Sequence, residues 1–245
     1  TKIVKKPVIV NISQGISIGP HDGRHSLECL FNDDLLEAGK KEGVIVVKSA
    51  GNQRELGRHA QLDFIKDQSE ELIWYQEENK QQQELEFWFD ANNCFEFVLE
   101  NPDGEQTTPI VNWQSRSLWY DFPNGCNTCS IFYTREYFSN GDSLLKIVID
   151  PKNENFIQPG LWKVIITKRD SGSTNNVVHA WINVMGNSKS TYFTQDNPWI
   201  TLTTPGTAEH IIVVATNSPD SSQGPTRNNG EKPEISAPGV DITVA

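Results

Sequence analysis

The chain has 245 residues, enough for one large domain or two ordinary ones. Its net charge of −11, from 32 acidic against 21 basic side chains, argues against a nucleic-acid partner, because phosphate neutralisation needs clustered Lys and Arg. The apolar fraction of 36% is low for a single large core, although 7 Trp and 11 Phe supply bulky material, and no window reaches the roughly 18 apolar residues of a membrane helix.

From Pro7 to about Asp63 the pattern reads strand, loop, helix, strand. "PVIVNIS" is a continuous apolar run, as expected for a strand covered on both faces. The sequon Asn11-Ile12-Ser13 falls inside it and is therefore expected to be buried. "GISIGPHDG" is a Gly/Pro loop. Leu27, Leu30, Phe31, Leu35 and Ala38 then fall at helical spacing, which predicts an amphipathic helix of about four turns that stops near Gly39 and Gly43. Asp22 or Ser26 is its expected cap. "VIVV" at 44–47 is a second buried strand, so this stretch reads as a βαβ unit with parallel strands. It ends in Ala50-Gly51-Asn52, placing an amide just past the strand tip. That amide either caps a turn or serves chemistry.

From about Glu70 to Met185 the period changes to two. Segments 84–89, 94–100, 130–134, 144–150, 161–167 and 177–184 read as strands, separated by turn clusters such as Asn101-Pro102-Asp103-Gly104. Many short strands without an intervening helix indicate an antiparallel sandwich or jelly roll. From Trp199 onward the first style returns, with "IIVVAT" as a buried strand. The expected organisation is an α/β core at 1–66 and 195–245, interrupted by an inserted β-sandwich at 67–194.

Cys126 and Cys129 have metal or redox spacing, but no second ligand pair exists, so a loop with two free or bridged thiols is expected. Asp103, Asp142 and Asp150 sit in turns that could bind Ca²⁺, yet no EF-hand-like spacing supports it, and they read as solvated carboxylates. No cofactor is expected. His21, Asp22 and His25 share a loop with nearby serines, but sequence proximity does not make a triad. His59, His179 and His210 are assigned no chemistry. Trp113 and Trp119 flank a polar stretch and could meet a carbohydrate, whereas Trp162 and Trp181 sit inside strand patterns and read as core.

Three stretches, in order, resemble the subtilisin-like serine proteases (subtilases, peptidase S8). "NISQGISIGPHDG" resembles the strand and loop that hold the extended substrate, with Ser13, Gln14 and Gly15 at the pairing positions. "VIVVKSAGNQ" resembles the strand that ends in the oxyanion-hole segment, and "SSQGPTRNNGEKPEISAPGVDI" the segment leading toward the nucleophile. The long β-rich stretch resembles the bacterial subtilases, clostridial germination proteases among them, that carry a jelly roll in the catalytic domain.

The resemblance implies a partial three-layer α/β parallel sheet with the jelly-roll-like sandwich inserted. It implies Asn52 as oxyanion donor and Ala50 and Gly51 as substrate-binding positions, where small residues let a peptide approach. The family commonly has Leu or Met where Gln14 stands, so the neighbouring subsite is expected to be more polar here.

The family's Asp-Thr/Ser-Gly, His-Gly-Thr-His and Gly-Thr-Ser motifs do not occur, so the chain is expected to be an inactive internal fragment. The expected partner is a peptide or protein substrate of the parent, with no nucleic acid and no membrane. A truncated parallel sheet would also expose edges that allow self-association. The alternatives are a non-catalytic pseudoprotease scaffold and a carbohydrate-binding role for the sandwich. The compartment stays open, since the chain shows no signal peptide and reads as truncated.

Overall fold

The computed structural model describes residues 6–65, 68–111, 116–170, 175–184 and 190–240. In chain order the strands are β1 (Val8–Ile12), β2 (Val44–Ser49), β3 (His59–Asp63), β4 (Ser69–Gln76), β5 (Gln83–Phe89) and β6 (Phe95–Glu100). They continue with β7 (Ile110–Val111), β8 (Arg116–Asp121), β9 (Asn127–Thr134), β10 (Ser143–Pro151) and β11 (Gly160–Lys168). The last four are β12 (Val177–Asn183), β13 (Tyr192–Phe193), β14 (Ile212–Thr216) and β15 (Ile235–Ala237). Two units divide the chain: Leu56–Asn197, and Thr1–Glu55 together with Pro198–Ala245.

The middle unit is built from two antiparallel sheets, ordered β3-β12-β5-β10-β9-β8 and β13-β4-β11-β6-β7. Alternation explains why. In β6, Phe95, Phe97 and Leu99 point inward while Glu96, Val98 and Glu100 are only half-buried. Leu145, Ile147 and Ile149 do the same in β10, as do Trp162, Val164 and Ile166 in β11. The inward faces of both sheets meet in one apolar core. Directly paired Trp74 and Trp162 stack with ring centroids 6.0 Å apart, and Phe97 touches Phe87, Phe89 and Phe95. Cys129 lies in this core on β9 and not in a loop, and burial pushes its thiol up to about 12. All four cysteines are free.

The other unit holds a four-stranded parallel sheet, ordered β1-β2-β14-β15. One face, with Val10, Ile12, Val46 and Val213, packs on Phe31, Leu36, Leu202 and Ala208. The opposite face leaves Ile9, Ile45, Ile212 and Ile235 exposed. The expectation that these strands are covered on both faces therefore fails among the described residues, and Asn11 is exposed.

The expected four-turn helix is also corrected. Only α1 (Ser26–Cys29) is α-helical, and Leu30–Leu35 continues as a π-helix, with the Leu36 N–H donating to Phe31 O at 3.0 Å. Glu37 and Ala38 then take positive φ, 49° and 53°, and the segment ends. The inward residues are Glu28, Asn32 and Leu36 at i, i+4, i+8, whereas Leu27, Leu30 and Leu35 are exposed. Two inward polar side chains explain the misreading. Glu28 and Asn32 are each tied by hydrogen bonds to the segment at 207–210, so polar anchoring sets which face of the helix turns inward.

Together these observations overturn the expected fold class. About 41% of the described residues are strand and about 5% helix, and most pairing is antiparallel. A three-layer α/β arrangement needs helices on both faces of its sheet, and the described residues supply one short helical segment.

The sandwich core gives a direct stability test. Phe97→Ala removes a fully buried ring with three aromatic neighbours. It should cost about 3–5 kcal/mol in chemical denaturation, and a loss below about 1 kcal/mol would contradict this packing.

Candidate functional site

At the carboxyl ends of the parallel strands the chain opens a crevice of about 370 Å³, lined by Ser49, Gly51, Asn52, Thr216 and Ser221 among others. Open parallel sheets place ligands at this end because loops, not strands, close it. The wall after β2 is tightly fixed. Ala50 N–H donates to Val214 O at 2.9 Å, and Thr203 N–H donates to Ala50 O at 3.0 Å. Ser222 N–H donates to Gly51 O at 2.8 Å, and Ser222 Oγ accepts from Gln53 N–H at 2.9 Å. Asn52, between them, is exposed, and its carboxamide makes no hydrogen bond among the described residues. The turn is thus held by Ser222 and Thr203, and Asn52 caps nothing.

On the other side of β2, β1 runs into the exposed residues Ser13, Gln14 and Gly15. The chain is pinned again at Ile16, which bridges Thr204 through N–H to O contacts of 3.2 and 2.9 Å. Gln14 and Gly15 make no backbone hydrogen bond among the described residues. Thr203 lies against both glycines. A Cβ on Gly15 would sit 2.3 Å from Thr203 Oγ1, and one on Gly51 would sit 2.7 Å from Thr203 Cγ2. Gly51 also has a φ of +104°, which side-chain-bearing residues rarely adopt. The structure therefore brings Gly15, Ala50 and Gly51 around one threonine, with Ser13, Gln14 and Asn52 exposed nearby on the same two segments.

Thr203 and Lys48 carried no signal in the sequence. Lys48 is fully buried, and its ammonium donates to Ser49 O and, at 3.0 Å, to Thr203 Oγ1. Burial pulls its pKa down to about 8.

The loop containing His21, Asp22 and His25 is structural. The cap of α1 is His25, not Asp22 or Ser26: His25 Nδ1 accepts from Leu27 N–H, and Glu28 Oε2 reaches back to His25 N–H. Asp22 pairs with Arg227 at 2.9 Å, both largely buried. His21 Nε2 lies 2.9 Å from Ser17 O, and burial lowers its pKa to about 4. Glu28 is completely buried and accepts from Thr207 N–H at 3.0 Å and Thr207 Oγ1–H at 2.6 Å. Burial outweighs these bonds and raises its pKa to about 7.

In the sandwich unit, His59 Nε2 and His179 Nδ1 are 3.1 Å apart, and both rings stack on Trp181. Trp162 and Trp181 are buried and Trp119 is exposed, while Trp113 lies outside the described residues. Asp103 accepts from Asn124 and Asp150 from Gln82. Among the described residues no group of three or more His, Cys, Asp or Glu is arranged to hold a metal, and no helix is long and apolar enough to cross a membrane.

No protein-family model matches the chain, and no curated protein matches it. Among solved structures the fold recurs in the Clostridium perfringens CspB protease, with a TM-score of 0.83 and 23% identity over 97% of this chain and 49% of that one. The neighbour is a protease. The chain spans about half the length of that structure, and an identity this low carries the fold alone. The expectation that the motifs mark a subtilisin-like peptidase S8 chain is overturned, because a mostly β-sheet chain with about 5% helix is unlike a subtilisin α/β fold. What stands is a likeness of fold to a protease.

Two measurements check this geometry. Gly51→Ala should destabilise the chain by about 1–3 kcal/mol, since it adds a Cβ at positive φ against a β-branched neighbour, and an unchanged Tm would refute the close approach.

The second concerns pH. Glu28 binds its proton more tightly when folded, so its stabilisation is full below about pH 4.5 and lost as pH rises through about 7. His21 runs the other way: its contribution is full above about pH 6.5 and lost as pH falls through about 4. Between about pH 4.5 and 6.5 the two slopes oppose each other. Glu28→Gln should therefore unmask a loss of stability on acidification, up to about 3 kcal/mol in chemical denaturation. An identical pH profile in the variant would count against the buried carboxyl.

Proposed function

We propose that this chain is the substrate-holding part of a peptide-bond hydrolase that works by acyl transfer. Asn52 is its oxyanion donor, and the nucleophile and general base come from polypeptide outside these 245 residues. The observation that carries the reading is the carboxamide of Asn52, exposed beside the crevice at the carboxyl end of β2 and without a hydrogen bond among the described residues. The likeness of fold to a protease supports it.

The chemistry follows from the donor. Attack on an amide carbonyl moves negative charge onto its oxygen, so an N–H aimed at that oxygen stabilises the transition state more than the ground state. A carboxamide is neutral, so it donates at any working pH. The backbone of Asn52 is fixed by bonds to its neighbours Gly51 and Gln53, which limits the reorganisation needed during reaction. Gln14 and Gly15 offer backbone groups, unpaired among the described residues, that a peptide can pair with in extended form. Seating the peptide there would bring its carbonyl toward the loop that bears Asn52.

Asn52→Ala in the whole protein should lower kcat by about 10²–10³ while leaving KM nearly unchanged. An unchanged kcat would remove Asn52 from the mechanism. Peptide binding without any hydrolysis by the whole protein would favour the non-catalytic scaffold instead.

A further inference from the structure

In the sandwich unit, Lys168 ends β11 with its side chain buried, and it faces Asn93, which is buried too. The two residues are 75 apart in sequence, one on β11 and one on the turn that leads into its neighbour β6. Their backbones are pinned. Lys168 N–H donates to Gln68 O at 3.0 Å, Arg169 N–H to Cys94 O at 2.8 Å, and Asn93 N–H to Asp90 O at 3.0 Å. Both side chains therefore start from fixed positions.

Three contacts aim the polar groups at one another. Asn93 Nδ2–H donates to Asn175 O at 2.6 Å, which leaves Oδ1 turned toward Lys168 Nζ at 2.5 Å. The flipped amide would set N–H groups against the ammonium, so charge dictates this orientation. The ammonium also donates to Asp170 Oδ1 at 2.9 Å, and it lies 5.3 Å from the centre of the Phe95 ring. Asn93 Cγ is one C=O bond beyond Oδ1, so a short turn of the lysine chain brings Nζ over it. An amine, a carboxamide and a carboxylate thus meet against an aromatic wall.

We propose that Lys168 and Asn93 join through an isopeptide bond, with Asp170 relaying the protons. The inference is independent of the hydrolase reading. The step balances without a co-reactant. Asp170 takes one proton from the Lys168 ammonium and leaves a neutral amine. Nζ attacks Asn93 Cγ, a C–N bond forms, and the carbonyl electron pair moves to Oδ1. Asp170 gives its proton to Nδ2 and takes another from Nζ. The Cγ–Nδ2 bond breaks as the carbonyl re-forms, and ammonia leaves. Ammonia then takes the proton from Asp170, so an ammonium ion departs and the carboxylate is restored. Asp170 keeps 32% of its side chain exposed, which gives that ion a way out. Amines attack amides slowly in water, but well-oriented partners reach effective molarities of about 10⁵–10⁸ M, and each chain needs a single turnover. The product ties the end of β11 to the turn before β6 by a link that reductants leave intact.

The test is mass spectrometry of the 245-residue chain, denatured after prolonged incubation in the folded state. The major species should be lighter than the sequence by one ammonia. A tryptic digest should then yield a branched peptide that carries both Asn93 and Lys168. Lys168→Arg keeps the charge but forms no such bond, so the full mass should return. Asp170→Asn should slow the linkage by about 10²-fold or more over a time course. The full mass in the unaltered chain, with the two peptides separate, overturns the proposal, and this arm needs no variant to fold. An ammonia loss that maps to an Asn-Gly pair such as Asn140-Gly141, with no branched peptide, overturns it as well. Linkage at an unchanged rate in Asp170→Asn removes Asp170 as the relay.

Discussion

Thr203 is the point on which the crevice walls depend. Its N–H and hydroxyl both reach Ala50 O, its carbonyl accepts from Gly206 N–H at 2.7 Å, and its side chain fills the gap between Gly15 and Gly51. One β-branched residue thus sets the spacing of two segments far apart in sequence. Glycine is required on both sides because there is no room for a Cβ on either. The exposed amide of Asn52 follows from the same constraint. With the turn held by Thr203 and Ser222, the asparagine carboxamide makes no hydrogen bond among the described residues.

The two units are stabilised by different physics. The sandwich interior is a continuous apolar and aromatic cluster, where burial of large side chains carries the energy. The unit with the parallel sheet has a much smaller apolar cluster, and it buries Glu28, Asn32, Lys48 and His21. Those groups link segments distant in sequence, such as Glu28 to Thr207 and Asn32 to His210. Satisfied polar links specify geometry at modest net gain, and they leave that unit sensitive to protonation in a way the sandwich core is not.

The sandwich was legible where alternation was strict, as in β6, β10 and β11, since period two with aromatic and β-branched residues has few other readings. β4 and β8 were missed. β4 opens with Ser-Glu-Glu and its inward residues are only Leu72, Trp74 and Gln76, while β8 is an edge strand with no fully buried residue. The helix was misread because a hydrophobic stripe at 27, 30 and 35 turned outward when Glu28 and Asn32 were drawn in by partners some 180 residues away. Such long-range bonds leave no local pattern. For the same reason Asn52 could be picked out from its place after a strand, but Lys48 and Thr203 could not. A lysine after "VIVV" reads as the end of a buried run, and nothing in "TLTT" marks one threonine as the side chain packed against two glycines.

The four unbridged thiols carry a further meaning. Cohesion in the sandwich comes from packed rings and strand ladders, with no disulfide among the described residues. The stability of the folded chain therefore does not hang on a bridge that a reductant could open. Reducing agents have no disulfide to cleave here, whereas oxidative refolding offers four thiols that can pair wrongly while the chain is unfolded. Cys129, walled in by the core, is shielded from alkylation and peroxide for as long as the two sheets stay together.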